Sequence, residues 1–298
     1  MTNLAWRKFQ AACFLFLVIS CGRTFAASAA AHPEMLVSTE WLAGHLNDPK
    51  LVILQVGHDD SDYRKEHITG ARFLGSHDYT TGNDGGLITE LPPVQKLQQL
   101  FQDAGVSDDT RVIIYTADWY PVAGRAYFTL DYLGHSNAAL LDGSLAKWKA
   151  ESRPVTAQVP RPPKGSFTPH VNESVRALLA DAKAASGGGS QTILVDSRPQ
   201  KRYTDGHLPG ADHIFWEETV QSSKQPVFLQ PDDLRKLFES RGITSGKKVI
   251  TYCEIGLQAS HMYFVSKYLG YDVAMFDGSF YQWNDLEHLP VVKGSAPR

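Results

Sequence analysis

Val249-Ile250-Thr251-Tyr252-Cys253-Glu254-Ile255-Gly256-Leu257-Gln258-Ala259-Ser260 is the stretch from which the rest of the chain is read. A β-branched apolar run of strand character ends in a cysteine. A short loop with one glycine follows, and a helix is expected from Ala259 to Leu269. Between a strand end and a helix start, backbone N–H groups converge and the helix dipole is positive. Such a place favours a thiolate and holds an anion. A buried structural cysteine is the competing reading.

The bulk of the sequence narrows the choice. With 298 residues there is room for two domains with full cores. A hydrophobic share of 43% and a charged share of 20% describe a soluble globular chain. A net charge of −3 carries no basic surplus for a nucleic-acid partner. The histidines form neither an HExxH nor a paired CxxC spacing, so no metal and no cofactor is expected.

Residues 1–31 read as an export signal. Arg7 and Lys8 precede the apolar run Ala11 to Ser20, and small residues follow to Ala31. Ala27-Ser28-Ala29 and Ala29-Ala30-Ala31 suit an ordinary signal peptidase. Val18-Ile19-Ser20-Cys21 resembles a bacterial lipobox and would leave a lipid anchor on Cys21. Both readings place the mature protein in the bacterial periplasm, free or membrane-anchored. Of the three cysteines, Cys13 lies in the signal and Cys21 is removed or lipidated, so Cys253 remains alone. An unpaired thiol in an exported domain marks a reactive group or an intermolecular bridge.

Along the chain, strands and helices alternate. Val37 to Leu46 reads as a helix capped by Ser38, Leu51 to Val56 as a strand buried on both faces, and Leu91 to Ala104 as amphipathic. Arg111 to Tyr115 is a strand, Val122 to Leu133 a helix, and Ala138 to Leu141 a strand. A Pro-rich linker spans 153–170. Beyond it come helix Asn172 to Ala184, a loop at Gly187-Gly188-Gly189, strand Ile193 to Val195, helix Pro231 to Arg241 and strand Lys248 to Tyr252. This order predicts an α/β chain of mainly parallel sheets with helices on both faces, one domain over 35–152 and another over 171–294.

The halves repeat. His67-Ile68-Thr69-Gly70-Ala71 matches His207-Leu208-Pro209-Gly210-Ala211, and Asp142-Gly143-Ser144 with Trp148 matches Asp277-Gly278-Ser279 with Trp283. Sliding one half over the other without a gap puts Ala117 opposite Cys253, Tyr120 opposite Gly256 and Gly124 opposite Ser260. The same comparison puts Gln55-Val56-Gly57-His58 opposite Val195-Asp196-Ser197-Arg198. The first half therefore keeps the scaffold without the thiol, the loop glycine or the Asp-x-Arg, as if one site had been kept in the second copy and lost in the first. His67 and His207 are expected to fix turns, Asp142 and Asp277 to cap the following helices, Trp148 and Trp283 to pack, and Asn83-Asp84-Gly85-Gly86 to form a surface turn.

Together, Asp196-Ser197-Arg198 with Tyr203, Gly206-His207-Leu208-Pro209-Gly210-Ala211, Cys253-x-x-Gly256-x-x-Ala259 and Asp277-Gly278-Ser279 with Trp283 resemble the tandem-rhodanese sulfurtransferases over nearly all of residues 35–292. The resemblance implies two rhodanese-like domains, an inactive first and a catalytic second. It also implies a Cys253 nucleophile that takes a sulfane sulfur from a small donor, thiosulfate or 3-mercaptopyruvate, and hands it to a thiol or cyanide in ping-pong fashion. Substrate binding would fall to Arg198, which forks onto the donor's anionic group, and to the loop Glu254, Ile255, Gly256, Leu257 and Gln258, whose N–H groups face the sulfur atoms.

Glu254 and Ile255 depart from the loops of both the thiosulfate and the mercaptopyruvate enzymes. A carboxylate beside the thiol raises its pKa and repels a dianion. A non-catalytic persulfide carrier is therefore a second reading. A dual-specificity phosphatase is disfavoured, because its Cys-x5-Arg would need arginine where Ala259 stands.

Overall fold

A computed structural model describes residues 31–82, 86–117, 119–187 and 191–296. Residues 1–30 of the export signal, with Cys13 and Cys21, the Asn83-Asp84-Gly85 part of the expected turn, and Gly188-Gly189 lie outside these residues.

In the first half the strands are β1 (Leu36–Val37), β2 (Leu51–Gly57), β3 (His67–Ile68), β4 (Arg72–Gly75), β5 (Arg111–Thr116), β6 (Ala138–Leu141) and β7 (Val155–Thr156). Its helices are α1 (Thr39–His45), α2 (Ser61–Lys65), α3 (Val94–Asp103), α4 (Pro121–Tyr132) and α5 (Ser144–Ala150). The second half supplies β8 (Arg176–Ala177), β9 (Thr192–Asp196), β10 (Asp212–His213), β11 (Lys248–Tyr252) and β12 (Asp272–Phe276), with α6 (Leu179–Ser186), α7 (Gln200–Asp205), α8 (Pro231–Ser240) and α9 (Leu257–Tyr268). Each half builds a five-stranded parallel sheet, in the orders β1-β6-β5-β2-β4 and β10-β9-β11-β12-β8. The orders coincide once the second is reversed, which makes the duplication a fact of topology.

Buried on both faces, the central strands are mostly apolar because each residue meets a helix layer above or below. The outer layers pack Leu42, Leu145 and Trp148 against the first sheet and Ala182, Ala185 and Trp283 against the second. The inner faces of both sheets, with α3, α4, α8 and α9, form one continuous core. At its centre α4 crosses α9 about a local two-fold relation. Tyr127 meets Phe264 edge-on at 4.9 Å, and Phe128 meets Tyr263 edge-on at 5.1 Å. Gly124 marks the closest approach, since a Cβ there would lie 2.8 Å from the His261 Cα and N. Backbone atoms cannot swing aside as a side chain would. Gly124→Ala is therefore expected to lose about 1–2 kcal/mol, overpacking outweighing the better helix propensity of alanine, as read from the urea midpoint.

Several local expectations are corrected. Residues Asn172 to Ala184 do not form one helix. Glu173–Val175 is a 3-10 turn, β8 follows at the sheet edge with Ala177 buried, and α6 starts only at Leu179. Strand pairing of β8 with β12 outweighs the helix propensity of this alanine-rich segment. Amphipathic Leu91 to Ala104 becomes α3 only from Val94, because Pro92 and Pro93 precede it. Neither aspartate of the repeated Asp-Gly-Ser caps a helix. Asp142 accepts the Phe228 N–H at 2.9 Å, and Asp277 pairs with Arg125, so each reaches into the opposite half. His67 and His207 do hold turns, each stacked on a tyrosine (Tyr63, Tyr203) and bonded to that tyrosine's carbonyl. The Pro-rich stretch lies along the first domain, with β7 pairing β3 and Phe167 buried.

Candidate functional site

β11 is the central strand of its sheet, and the thiol lies just past its C-terminal end. Parallel sheets leave such ends open for ligands. Because side chains alternate along a strand, Val249 and Cys253 join the inner core while Ile250 and Tyr252 join the outer one. Cys253 thus faces the other domain.

Ser279 anchors the strand end. Its hydroxyl accepts the Cys253 N–H at 3.2 Å and donates to the Phe276 carbonyl. In the first domain Ser144 accepts the N–H of Thr116 at 2.8 Å in the same way. Likewise Tyr252 reaches the Leu208 N–H as Tyr115 reaches that of Ile68. These paired anchors shift the comparison of the halves by one residue. Thr116, not Ala117, occupies the place of the thiol, and Gln55 occupies that of Asp196, with Gly57 and not His58 at the place of Arg198. The first-domain loop is one residue longer, so an ungapped comparison misplaces it. The first copy still lacks the thiol.

Helix α9 begins at Leu257, earlier than the pattern suggested, so the true loop is Cys253 to Gly256, with Gly256 as N-cap at φ +92°. The Gly256 N–H lies 3.2 Å from the Cys253 Sγ. Leu257 and Gln258 form the first turn of the helix, Leu257 buried and Gln258 half-buried. Backbone N–H groups of Ala259, Ile255, Gly256 and Gln258 all favour the thiolate, and yet burial of a group only 1% exposed outweighs them and pushes the thiol above its ordinary value. The lowered thiol expected from the strand-to-helix position is thus corrected. Water lost from the thiolate costs more than the amides return. Alkylation of Cys253 by iodoacetamide is accordingly expected to accelerate continuously from pH 7 past the ordinary thiol range, since the thiolate fraction grows as pH rises.

Arg198 follows β9 and is itself 2% exposed. Its Nε and Nη2 grip Asp196, with Nη2 to Oδ2 at 2.7 Å, and Nη2 also donates to the Gly206 carbonyl at 2.7 Å. The guanidinium lies 3.9 Å from the Phe280 ring centre. Only Nη1 points to the loop, where it meets the half-exposed Glu254 carboxylate at 3.3 Å. Arg198 and Glu254 are therefore brought together, with Glu254 occupying the one edge of Arg198 left for a donor.

The first domain also touches this loop, which the linear sequence did not signal. The Thr89 hydroxyl lies in hydrogen-bond reach of the Ile255 carbonyl, and Arg125 of α4 grips Asp277 next to Gly256.

The matches to known proteins follow the same plan. The rhodanese-like domain model matches residues 38–151 and 176–286. The chain belongs to the rhodanese family and is a two-domain sulfurtransferase of that type. The sulfur carrier protein TtuD of Thermus thermophilus is 34% identical over 290 residues, covering 89% of this chain and 98% of that one. A Mycolicibacterium smegmatis protein provisionally named thiosulfate sulfurtransferase is 30% identical, covering 89% of this chain and all of that one. Among solved structures, the 3-mercaptopyruvate enzyme SseA of Escherichia coli aligns at TM-score 0.75 and 25% identity, covering 83% of this chain and 98% of that one.

Proposed function

We propose that this chain moves a sulfane sulfur from a small anionic donor, thiosulfate or 3-mercaptopyruvate, through a persulfide on Cys253 to a thiol or cyanide. The observation that carries this reading is the Gly256 N–H held 3.2 Å from the sulfur of Cys253 at the start of α9, Cys253 being the sole cysteine among the described residues. The thiolate attacks the outer sulfur of the donor. The bond from that sulfur to the rest of the donor breaks, and sulfite, or pyruvate after it takes up a proton, departs with the electron pair. A nucleophilic acceptor then attacks the outer sulfur of the persulfide and returns Cys253 as thiolate. The amide cradle and the start of α9 hold the persulfide anion without a metal. The basic and apolar N-terminal stretch supports export to the periplasm, with Cys21 as the candidate lipid attachment point.

Intact-mass measurement after incubation with either donor tests the reading. One added sulfur atom is expected, lost on treatment with cyanide and never gained by Cys253→Ser. Full transfer by that variant would sink the proposal.

A persulfide carrier is the second reading. It is favoured by the Glu254–Arg198 contact, which weakens the hold on an anionic donor, and by the name of the Thermus thermophilus relative. Glu254→Gln removes the carboxylate and frees an edge of Arg198. Its kcat/KM for thiosulfate is expected to rise about tenfold, the scale of one charge interaction near a surface. The rise for singly charged 3-mercaptopyruvate should be smaller, both read from thiocyanate formation.

A further inference from the structure

The local two-fold relation is broken around the thiol loop. Arg125 on α4 is fully buried and forks onto Asp277, itself 1% exposed, with Nη2 to Oδ2 at 3.0 Å. The same Nη2 donates to the Thr89 carbonyl, and the hydroxyl of Thr89, at φ +59°, lies in hydrogen-bond reach of the Ile255 carbonyl as well as that of Ile88. A Cβ on Gly256 would lie 2.6 Å from Asp277 Oδ1 and 3.4 Å from Arg125 Nη1. The circuit Ile255, Thr89, Arg125, Asp277, Gly256 thus closes around the two loop residues beside the sulfur. Around Thr116 the counterparts of Arg125 and Asp277 have other partners. His261 stands on α9 where Arg125 stands on α4, and it meets Thr219, while Asp142 takes the Phe228 amide. Holding the domains together does not require this pair, since Lys267 with Asp131 and Arg176 with Glu90 already bridge them.

We propose that Arg125, contributed by the thiol-free domain, is a positioning residue for the sulfur-carrying loop. It clamps Asp277 beneath Gly256 and Thr89 against Ile255, which fixes the N–H groups that face the sulfur and offsets the Asp277 charge. The inference rests on Cys253 as the sulfur acceptor. The charges around the loop are Glu254 within it, Arg198 with Asp196 behind it, and the Arg125–Asp277 pair with Arg176 and Glu90 beyond. Tyr79, Tyr252 and His261, packed near by, stay neutral through burial.

The test is the pH profile of Cys253 alkylation by iodoacetamide in the full chain, read on the Cys253 peptide by mass spectrometry. Arg125→Gln leaves Asp277 uncompensated and should move the midpoint about one pH unit upward, while Asp277→Asn leaves Arg125 uncompensated and should move it about one unit downward. Arg125→Lys and the Arg125→Gln/Asp277→Asn double variant should return close to the wild-type midpoint. Loss of structure alone would shift both single variants the same way, and that result, or no shift in either, overturns the proposal. Thr89→Val, which removes only a hydroxyl, should lower kcat about tenfold with KM unchanged, because it loosens the loop without touching donor charge. Wild-type kcat in Thr89→Val likewise overturns it. Alkylation is read independently of sulfur transfer, so failure of the Cys253 persulfide and failure of the Arg125 clamp give different results.

Discussion

Gly256→Ala is expected to lower kcat/KM for sulfur transfer at least about 100-fold while the protein remains folded. Two effects combine. At φ +92° an L side chain is strained by about 1–2 kcal/mol, and the new methyl group would stand 2.6 Å from Asp277 Oδ1 and 3.0 Å from its carbonyl oxygen. Asp277 cannot retreat, because Arg125 grips its carboxylate and its backbone follows directly on the end of β12. The loop has to move instead, and the Gly256 N–H leaves its place 3.2 Å from the sulfur. Losing one preorganised donor, or misplacing a reacting group by about 1 Å, each costs on the order of 100-fold. Gly246→Ala is the control. Its φ is +85° but nothing lies within 4 Å of its would-be Cβ, so it carries strain without a clash and should leave transfer unchanged. Full activity in Gly256→Ala would contradict the cradle described above.

Arg198→Met should cost about 3–5 kcal/mol of stability, seen as a large fall in the urea midpoint. Asp196 is fully buried and would lose the cation that answers both of its carboxylate oxygens. Adding Asp196→Asn removes the stranded charge and should recover most of that loss. Donor binding should not recover with it. KM for an anionic donor is expected to stay raised in the double variant, because the Nη1 edge beside Glu254 is gone in both. If KM returned to the wild-type value along with stability, Arg198 would be a structural ion pair alone. The two roles are separable because Nε and Nη2 serve Asp196, whereas Nη1 serves the loop.

Much of this molecule is legible in one dimension because its signals are local. Leu51 to Val56 is apolar but for Gln55, which accepts the Tyr115 hydroxyl, as suits a strand between two helix layers. Ser38 does cap α1, accepting the Trp41 N–H at 3.0 Å. The repeated His-x-x-Gly-Ala and Asp-Gly-Ser segments made the duplication visible, and the sheet orders bear it out. Where propensity competed with pairing, local reading failed. The segment at Asn172 looked helical because its alanines favour helix, and only the neighbouring edge of β12 made Arg176–Ala177 a strand.

By itself, then, the amino-acid sequence determined the α/β class, the duplication and the cysteine at a strand end, all of which are carried by short motifs, each spanning a few positions. Tertiary structure decided the rest. Thr116 replaced Ala117 as the counterpart of Cys253 because the Ser144 and Ser279 hydroxyls, not residue counting, set the equivalence of the loops. Asp277 proved to be the partner of Arg125, 152 positions away, and not a helix cap. The thiol itself is held up by burial instead of lowered by its position. Each of these outcomes depends on how closely α4 and α9 pack about their local two-fold relation, and such long-range packing leaves no periodic trace in the chain.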